Sequence, residues 1–489
     1  MATALFAVLV TGLGGFSGSD TFESVFSTWA VAHGQLACAF PHGFRVTAPL
    51  YPMLSGGIAA LSHIGHGVPF PPRSTMGPRC NDAFVVINTW SLSTKAIVST
   101  VKIGYLGWFA LMAGIVALLR TTGRGRSRWE PAVALLVACT PMVWSCVQST
   151  FHPEDLLALG LTLGAVACVR QGSWAAAGVL IGLGFLSQQF ALLVAVPLLV
   201  LAPPSRRVSY AWAASLTVAV VAVPLIIMSS GSAAENVLLG TGMTGGIGGA
   251  ALSELHLHGV SLLLLSRVAP VVLAGSITWV AKCRLGRRAL EPVALLSLVA
   301  LSLGLRLVFE QQIFEYYFMA LSVSLILLEV MRGRVRGTLV AWLLLVPTVF
   351  LGEIQDLGDL DHPLRVVVIL LAIGVVVPQA LRGVPFRNLA PWIALAATSV
   401  VGWSTSPLLY HLPAWFWQVV LVGWGIALAG APLLTEFRRH EAMDRANARP
   451  GATVAHRALV VLPLVPNGTT ADGRDPLAPT KPPRYIGVV

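Results

Sequence analysis

The sequence predicts an all-α, polytopic transmembrane helical bundle, and three observations predict it. First, of 489 residues only 11% are charged and 56% are hydrophobic, against about 25% and 45–50% in an ordinary soluble domain. Mean hydropathy is +0.78. Second, apolar runs recur along the whole length, many near the roughly 20 residues a helix needs to cross a hydrocarbon core. Third, the loops between these runs alternate in the sign of their charge. This composition excludes a soluble globular enzyme and a disordered chain. The formal charge of +11 would raise a nucleic-acid partner, but the positions of the charges report topology instead, and no nucleic acid is expected.

The runs lie at 2–18, 96–119, 131–148, 156–169, 175–201, 211–229, 261–281, 292–309, 318–330, 338–351, 366–381, 389–405 and 415–434. Run 2–18 lacks a basic start and a small-x-small cleavage site, so it reads as a first membrane helix rather than a leader. Residues 19–95 form the longest loop, with a semi-apolar stretch from Ala48 to Leu61 that is too short to span and reads as an interfacial helix. Cys38 and Cys80 both lie in this loop, on the oxidising side; whether they pair stays open.

The later loops sort by charge. One set carries Arg120, Arg124, Arg126 and Arg128, then Arg170, Arg206 and Arg207, Lys282 to Arg288, Arg332 to Arg336, Arg382 and Arg387, and Arg438 and Arg439. The other carries Asp20, Glu23, Asp82, Glu154, Asp155, Glu235, Glu254, Glu310, Glu315 and the acids from Glu353 to Asp361. The basic set is cytoplasmic by the positive-inside rule. Run 175–201 breaks the alternation, because basic loops flank it on both sides. Two short helices hinged near Ser187, Gln188 and Gln189, with the polar tip buried in protein, resolve the conflict. The count is then about 12 crossings plus a short-helix hairpin, with both termini cytoplasmic. Residues 1–436 form one transmembrane domain. Within it, 230–260 is a Gly-rich outer loop; 437–489 reads as a disordered cytoplasmic tail.

Some patterns carry little. Gly240-x-Gly242-x-x-Gly245 follows no strand, so the dinucleotide reading fails. His63/His66 and His256/His258 lack further ligands at metal-site spacing. No cofactor is firmly expected, though an acid-rich outer cavity can recruit a divalent cation.

Other residues point to a site on the outer side. Asp20 and Glu23 follow the first run directly, where a carboxylate can take a proton from a hydroxyl; the alternative is ordinary loop acids. His152-Pro153-Glu154-Asp155 makes a very short turn with two readings: a plain turn with Asp155 as helix N-cap, or a site edge at which His152, Glu154 and Asp155 line or support a cavity. Lys102, Arg267 and Arg306 each lie within about two turns of the outer end of their helices. Snorkelling explains any one of them; three at one depth suit an anion such as phosphate. Arg306 leads into Glu310, Gln311, Gln312, Glu315, Tyr316 and Tyr317, a polar run that pairs with the cations or lines a cavity with Gln188 and Gln189.

Taken in order, these features resemble the GT-C superfamily of polytopic glycosyltransferases, in particular actinobacterial-type members related to polyprenyl-phosphate-mannose-dependent mannosyltransferases of the cell envelope. The resemblance covers about 1–330. It rests on Asp20, on Trp29-Ala-Val-Ala-His33-Gly34, on Pro49-Leu50-Tyr51-Pro52 with Gly56-Gly57, on the His152–Asp155 turn, on Gly178 to Gly182 with Ser187-Gln-Gln, and on Arg306 through Tyr317. It implies a polyprenyl-phosphate sugar donor and a glycan or glycolipid acceptor. It also implies an inverting transfer at the outer face of the plasma membrane, with Asp20 as base and Glu23 as runner-up. Members often carry adjacent acids where this chain has D-x-x-E, and many carry Lys where it has Gln188 or Gln189. A transporter or flippase for a lipid-linked or anionic solute is the alternative, and a membrane scaffold the third reading.

Overall fold

In a computed structural model of the chain, the described residues are chiefly 19–40, 48–62, 70–77, 94–122, 129–138, 151–228, 264–310, 313–333 and 414–447, with single positions between them. The expectations placed on 2–18, on 366–381, on 389–405 and on the tail beyond 447 lie outside them, as do nearly all of 230–260 and most of 338–351. Among the described residues every regular element is helical.

The helices are α1 (Ser19–Ala32), α2 (Leu50–Ser62), α3 (Thr94–Arg120), α4 (Trp129–Ala138), α5 (Pro153–Arg170), α6 (Trp174–Ser187), α7 (Ala191–Leu201), α8 (Pro204–Met228), α9 (Ala269–Leu285), α10 (Pro292–Val308), α11 (Met319–Arg332) and α12 (Ala414–Asn447). Among the described residues, four stretches, Ala96–Arg120, Pro204–Met228, Leu264–Leu290 and Gln418–Arg445, are long and apolar enough to cross a membrane. The chain divides into two units, Met1–Phe437 and Arg438–Val489. In the second, the described residues are helical and carry the i,i+4 pairs His440–Asp444 and Glu441–Arg445.

Small residues decide how the first unit packs. A Cβ on Gly160 of α5 would stand 2.3 Å from the Ala110 carbonyl of α3, and one on Gly107 of α3 would stand against the Pro153 carbonyl of α5. These two helices therefore touch backbone to backbone, the arrangement that replaces hydrophobic drive between membrane helices. Gly178 and Gly182 do the same for α6 against α8, at Tyr210 and Ala214. The opposite face of α8 is bare. Val208, Trp212, Leu216, Val220, Val223 and Ile227 are exposed along it, a surface suited to lipid rather than water. Trp212 and Trp279 sit close to the basic ends of α8 and α9, as aromatic residues do at a membrane interface.

The two ends of the bundle differ chemically. At one end the Arg170 guanidinium donates to the carbonyls of Leu290 (2.8 Å) and Thr121 (3.4 Å). Lys282 donates to the Val200 carbonyl and Arg207 to that of Ala202. These cations satisfy orphan carbonyls at helix C-termini. Asp155 lies at the other end of α5, about 22 Å along the axis from Arg170.

Residues 174–201 are two helices rather than one. α6 and α7 would run about 21 Å and 16 Å, too short to span singly. Tyr210 of α8 meets the first residue of α6 edge-on through Trp174 and donates to the Ala195 carbonyl of α7 at 3.0 Å. The pair thus returns toward its own start. In the first loop, Cys38 and Cys80 are disulfide-bonded, with Cα atoms 5.3 Å apart. Helix α2 buries Leu50, Tyr51, Pro52 and Ser55, whereas Leu61 is exposed.

Candidate functional site

The site begins at the start of α5. Pro153 takes the first helical position, where its missing N–H costs nothing. His152 consequently occupies the cap position, with its own N–H on the Cys146 carbonyl at 2.7 Å. The expected N-cap role of Asp155 is corrected by this arrangement. Proline shifts the helix start forward, and Asp155 falls in the first turn beside Glu154, where the helix dipole favours anions. Phe151 just before the turn is fully buried and holds φ +53°, a left-handed conformation an aromatic residue adopts only when its surroundings fix it. Gly104 on α3 makes room, since a Cβ there would stand 2.8 Å from the Phe151 ring.

The hinge between α6 and α7 docks onto this turn. Gln188 is extended (φ −160°, ψ 137°) and ends α6. Ser187 Oγ donates to the Glu154 carbonyl at 2.8 Å, and Gln188 Nε2 donates to Asp155 Oδ1 at 2.6 Å. Gln188 Oε1 accepts from the Gln189 amide at 3.1 Å. The polar tip of the hairpin is thereby spent on an acidic helix start.

The third component is the end of α10. Arg306 lies 3.8 Å from Glu310 and stacks its guanidinium 4.8 Å from the Tyr317 ring and 5.4 Å from Phe190. Gln418 of α12 donates to the Leu307 carbonyl at 2.6 Å, which anchors this helix end. Tyr316 stacks on the His152 ring, centroids 4.1 Å apart and planes 16° off parallel. His152 Nδ1 sits 2.8 Å from Glu154 Oε1. Glu154, Asp155, Glu310, Tyr316 and Tyr317 are all buried. Three carboxylates therefore face one guanidinium and one imidazole in a low-dielectric setting, where mutual pairing is what permits burial.

The structure thus brings together His152, Glu154, Asp155, Gln188, Arg306, Glu310, Tyr316 and Tyr317, with Gln189 alongside. It does not bring in the other two cations. Lys102 is exposed on α3, Arg267 is half-buried in the π-turn Leu264–Val268 before α9, and neither joins the described contacts of the cluster. Equal depth along a helix does not imply equal azimuth. Glu23 is buried in α1. Asp20 starts the same helix, and its side chain, like that of Glu315, lies outside the described residues. Among the described residues no group of three or more His, Cys, Asp or Glu side chains is arranged to hold a metal ion.

Three contributors escaped sequence reasoning. Tyr51 is completely buried and packs in one cluster with Leu157 of α5 and Leu186 at the hairpin tip. The Pro49–Pro52 motif was its only trace. Phe190 and Gln418 left none, because apolar runs hide which aromatic or amide will face a charge. No protein-family model matches the chain, and no curated protein matches it.

Proposed function

We propose that this chain is a membrane glycosyltransferase that moves a hexose or pentose, mannose being the first candidate, from a polyprenyl-phosphate donor to a hydroxyl of a glycan or glycolipid. The proposal includes a GT-C-like bundle of about 12 crossings in the plasma membrane, with the site facing outward and both termini cytoplasmic. One observation carries it. The Arg306 side chain is only 15% exposed, yet among the described residues no hydrogen bond uses its guanidinium donors. At 3.8 Å, Glu310 balances its charge without making a hydrogen bond. A guanidinium set over two aromatic rings with its donors unspent suits a phosphate oxygen. In the transfer, Arg306 would stabilise charge on the departing phosphate, the kind of electrostatic term that dominates such reactions. Asp20 would take the proton of the attacking hydroxyl, with Glu23 next in line. Lys102 and Arg267 would act as outlying cations for the same donor.

The test is sugar transfer by membranes holding the full chain, supplied with a panel of radiolabelled polyprenyl-phosphate sugars. Transfer that is lost in Asp20→Asn and in Arg306→Gln supports the reading. Full activity of Asp20→Asn removes that residue as base, and no transfer from any donor overturns the proposal. A second reading, a transporter for an anionic solute, is favoured by the broken helix pair Trp174–Leu201 meeting a charged cluster. Solute uptake into proteoliposomes without sugar transfer would select it.

A further inference from the structure

Two buried oxygens beside the cluster have no hydrogen-bond partner: the Tyr51 hydroxyl and Glu154 Oε2. They belong to side chains close enough to act on each other electrostatically. Tyr51 enters from α2 and Glu154 from the first turn of α5, and both are shut off from solvent. The other Glu154 oxygen is engaged by His152, and its backbone carbonyl is held by Ser187. The carboxylate therefore has no freedom to seek a partner elsewhere. Tyr51 is equally fixed, by Leu50, Leu157 and Leu186 around it and by Gly104, whose missing side chain lets the hydroxyl approach α3. Folded chains rarely leave such groups unpaired, since each forfeits its hydration with nothing in return.

We propose that Tyr51 and Glu154 form a subsite for one neutral hydroxyl oxygen. The Tyr51 O–H donates to that oxygen, and the oxygen donates its own hydrogen to Glu154 Oε2. A phenol that donates and a carboxylate that accepts select an O–H group. They disfavour an anion, which the carboxylate repels. Two sources supply this chemistry: an internal water, or a hydroxyl of a sugar substrate, the latter resting on the transferase reading above.

Thermal melts of the full chain in detergent test the subsite without any substrate. With the oxygen present, Tyr51→Phe removes a hydrogen bond and lowers Tm, by about 2 °C or more. Glu154→Gln also lowers it, and the double variant falls by less than the two shifts added. An unchanged or raised Tm in Tyr51→Phe rules out a resident water, and if acceptor and donor KM are unchanged as well, a solitary buried hydroxyl was removed and the proposal is overturned. The transfer assay separates the sources. A roughly tenfold rise in acceptor KM in Tyr51→Phe, with donor KM unchanged, assigns the oxygen to the acceptor. A rise in donor KM alone assigns it to the donated sugar, and a lowered Tm with no change in either KM assigns it to water. Absence of transfer by the wild-type chain removes the transferase reading and leaves the melting result in force.

Discussion

Replacing Gly160 with alanine separates backbone contact from ordinary packing, because Gly164, one turn further along α5, supplies the control. Both changes trade glycine for the best helix former, a gain of about 1 kcal/mol from propensity. At Gly164 the new Cβ would meet only the Leu180 Cδ1 at 3.3 Å, a side chain that can turn aside. At Gly160 it would meet the carbonyl carbon and oxygen of Ala110 at 2.3 Å and the Leu111 nitrogen at 2.5 Å. Backbone inside a helix cannot yield. Restoring van der Waals distance therefore forces α3 and α5 apart by about 1 Å, a gap that forfeits a quarter to a half of each contact well along the crossing. The expected net loss is about 3 kcal/mol, at the upper end for overpacking. Thermal unfolding of purified protein in detergent reads the difference: Gly164→Ala melts at or above the wild type, and Gly160→Ala several degrees below it. Equal melting temperatures for the two variants would refute the backbone-contact account of this interface.

Other perturbations follow from the same contacts. Gln188→Leu deletes the 2.6 Å bond to Asp155 and leaves a buried carboxylate oxygen with one donor fewer; a loss of about 2 kcal/mol is expected for a bond to a charged group, read as a drop in melting temperature that Gln188→Asn only partly recovers. Removing both Cys38 and Cys80 opens a loop of 42 residues, and the chain-entropy relation puts its contribution near 4 kcal/mol. Reduction should lower the melting temperature of the wild type and leave the double alanine variant unmoved. Gln418→Leu frees the Leu307 carbonyl and should cost about 1 kcal/mol. Because it loosens the helix end that bears Arg306, donor affinity should fall while the turn at His152 stays intact.

The parts of this fold that sequence reveals are those set by one-dimensional quantities. Run length and loop charge speak to where helices start and stop. Arg170 and Arg206–Arg207, basic on both sides of one apolar run, carry information about a break between them, and α6 and α7 meet at Gln188. The Arg306–Glu310 pair is local, four residues apart across the end of α10, and so is legible. What sequence does not hold is rotation about each helix axis. Lys102 and Arg306 look alike in a list of residues near helix ends. One faces outward from α3, and the other lies between Phe190 and Tyr317. Tyr51 lies outside any long apolar run and touches α5 only through tertiary packing, so no periodicity in its own segment could announce it. Pro153 illustrates a third limit. Its effect on the helix start displaced Asp155 by three positions from the cap, and a rule of cap preference read without that proline misassigns the role.

The difference in azimuth makes the proposed donor site testable by ranking rather than by loss alone. If Lys102, Arg267 and Arg306 formed one anion site, alanine at each would weaken donor binding to similar degrees. The structure assigns them unequal weight. An exposed cation acting through solvent contributes about 0–1 kcal/mol, so Lys102→Ala should raise donor KM by no more than about fivefold. Arg306 acts at short range in a nearly dry setting, where removing a paired charge costs about 3–5 kcal/mol. Part of that cost is Glu310 left uncompensated, and it appears in stability rather than in donor affinity. Arg306→Lys separates the two effects. It keeps the charge beside Glu310 and so restores the melting temperature, but a point charge cannot reproduce the planar fork against two rings, so donor KM should remain elevated about tenfold or more. Lysine restoring full donor affinity would show that charge alone suffices, and the aromatic sandwich around Arg306 would then be packing with no part in phosphate recognition.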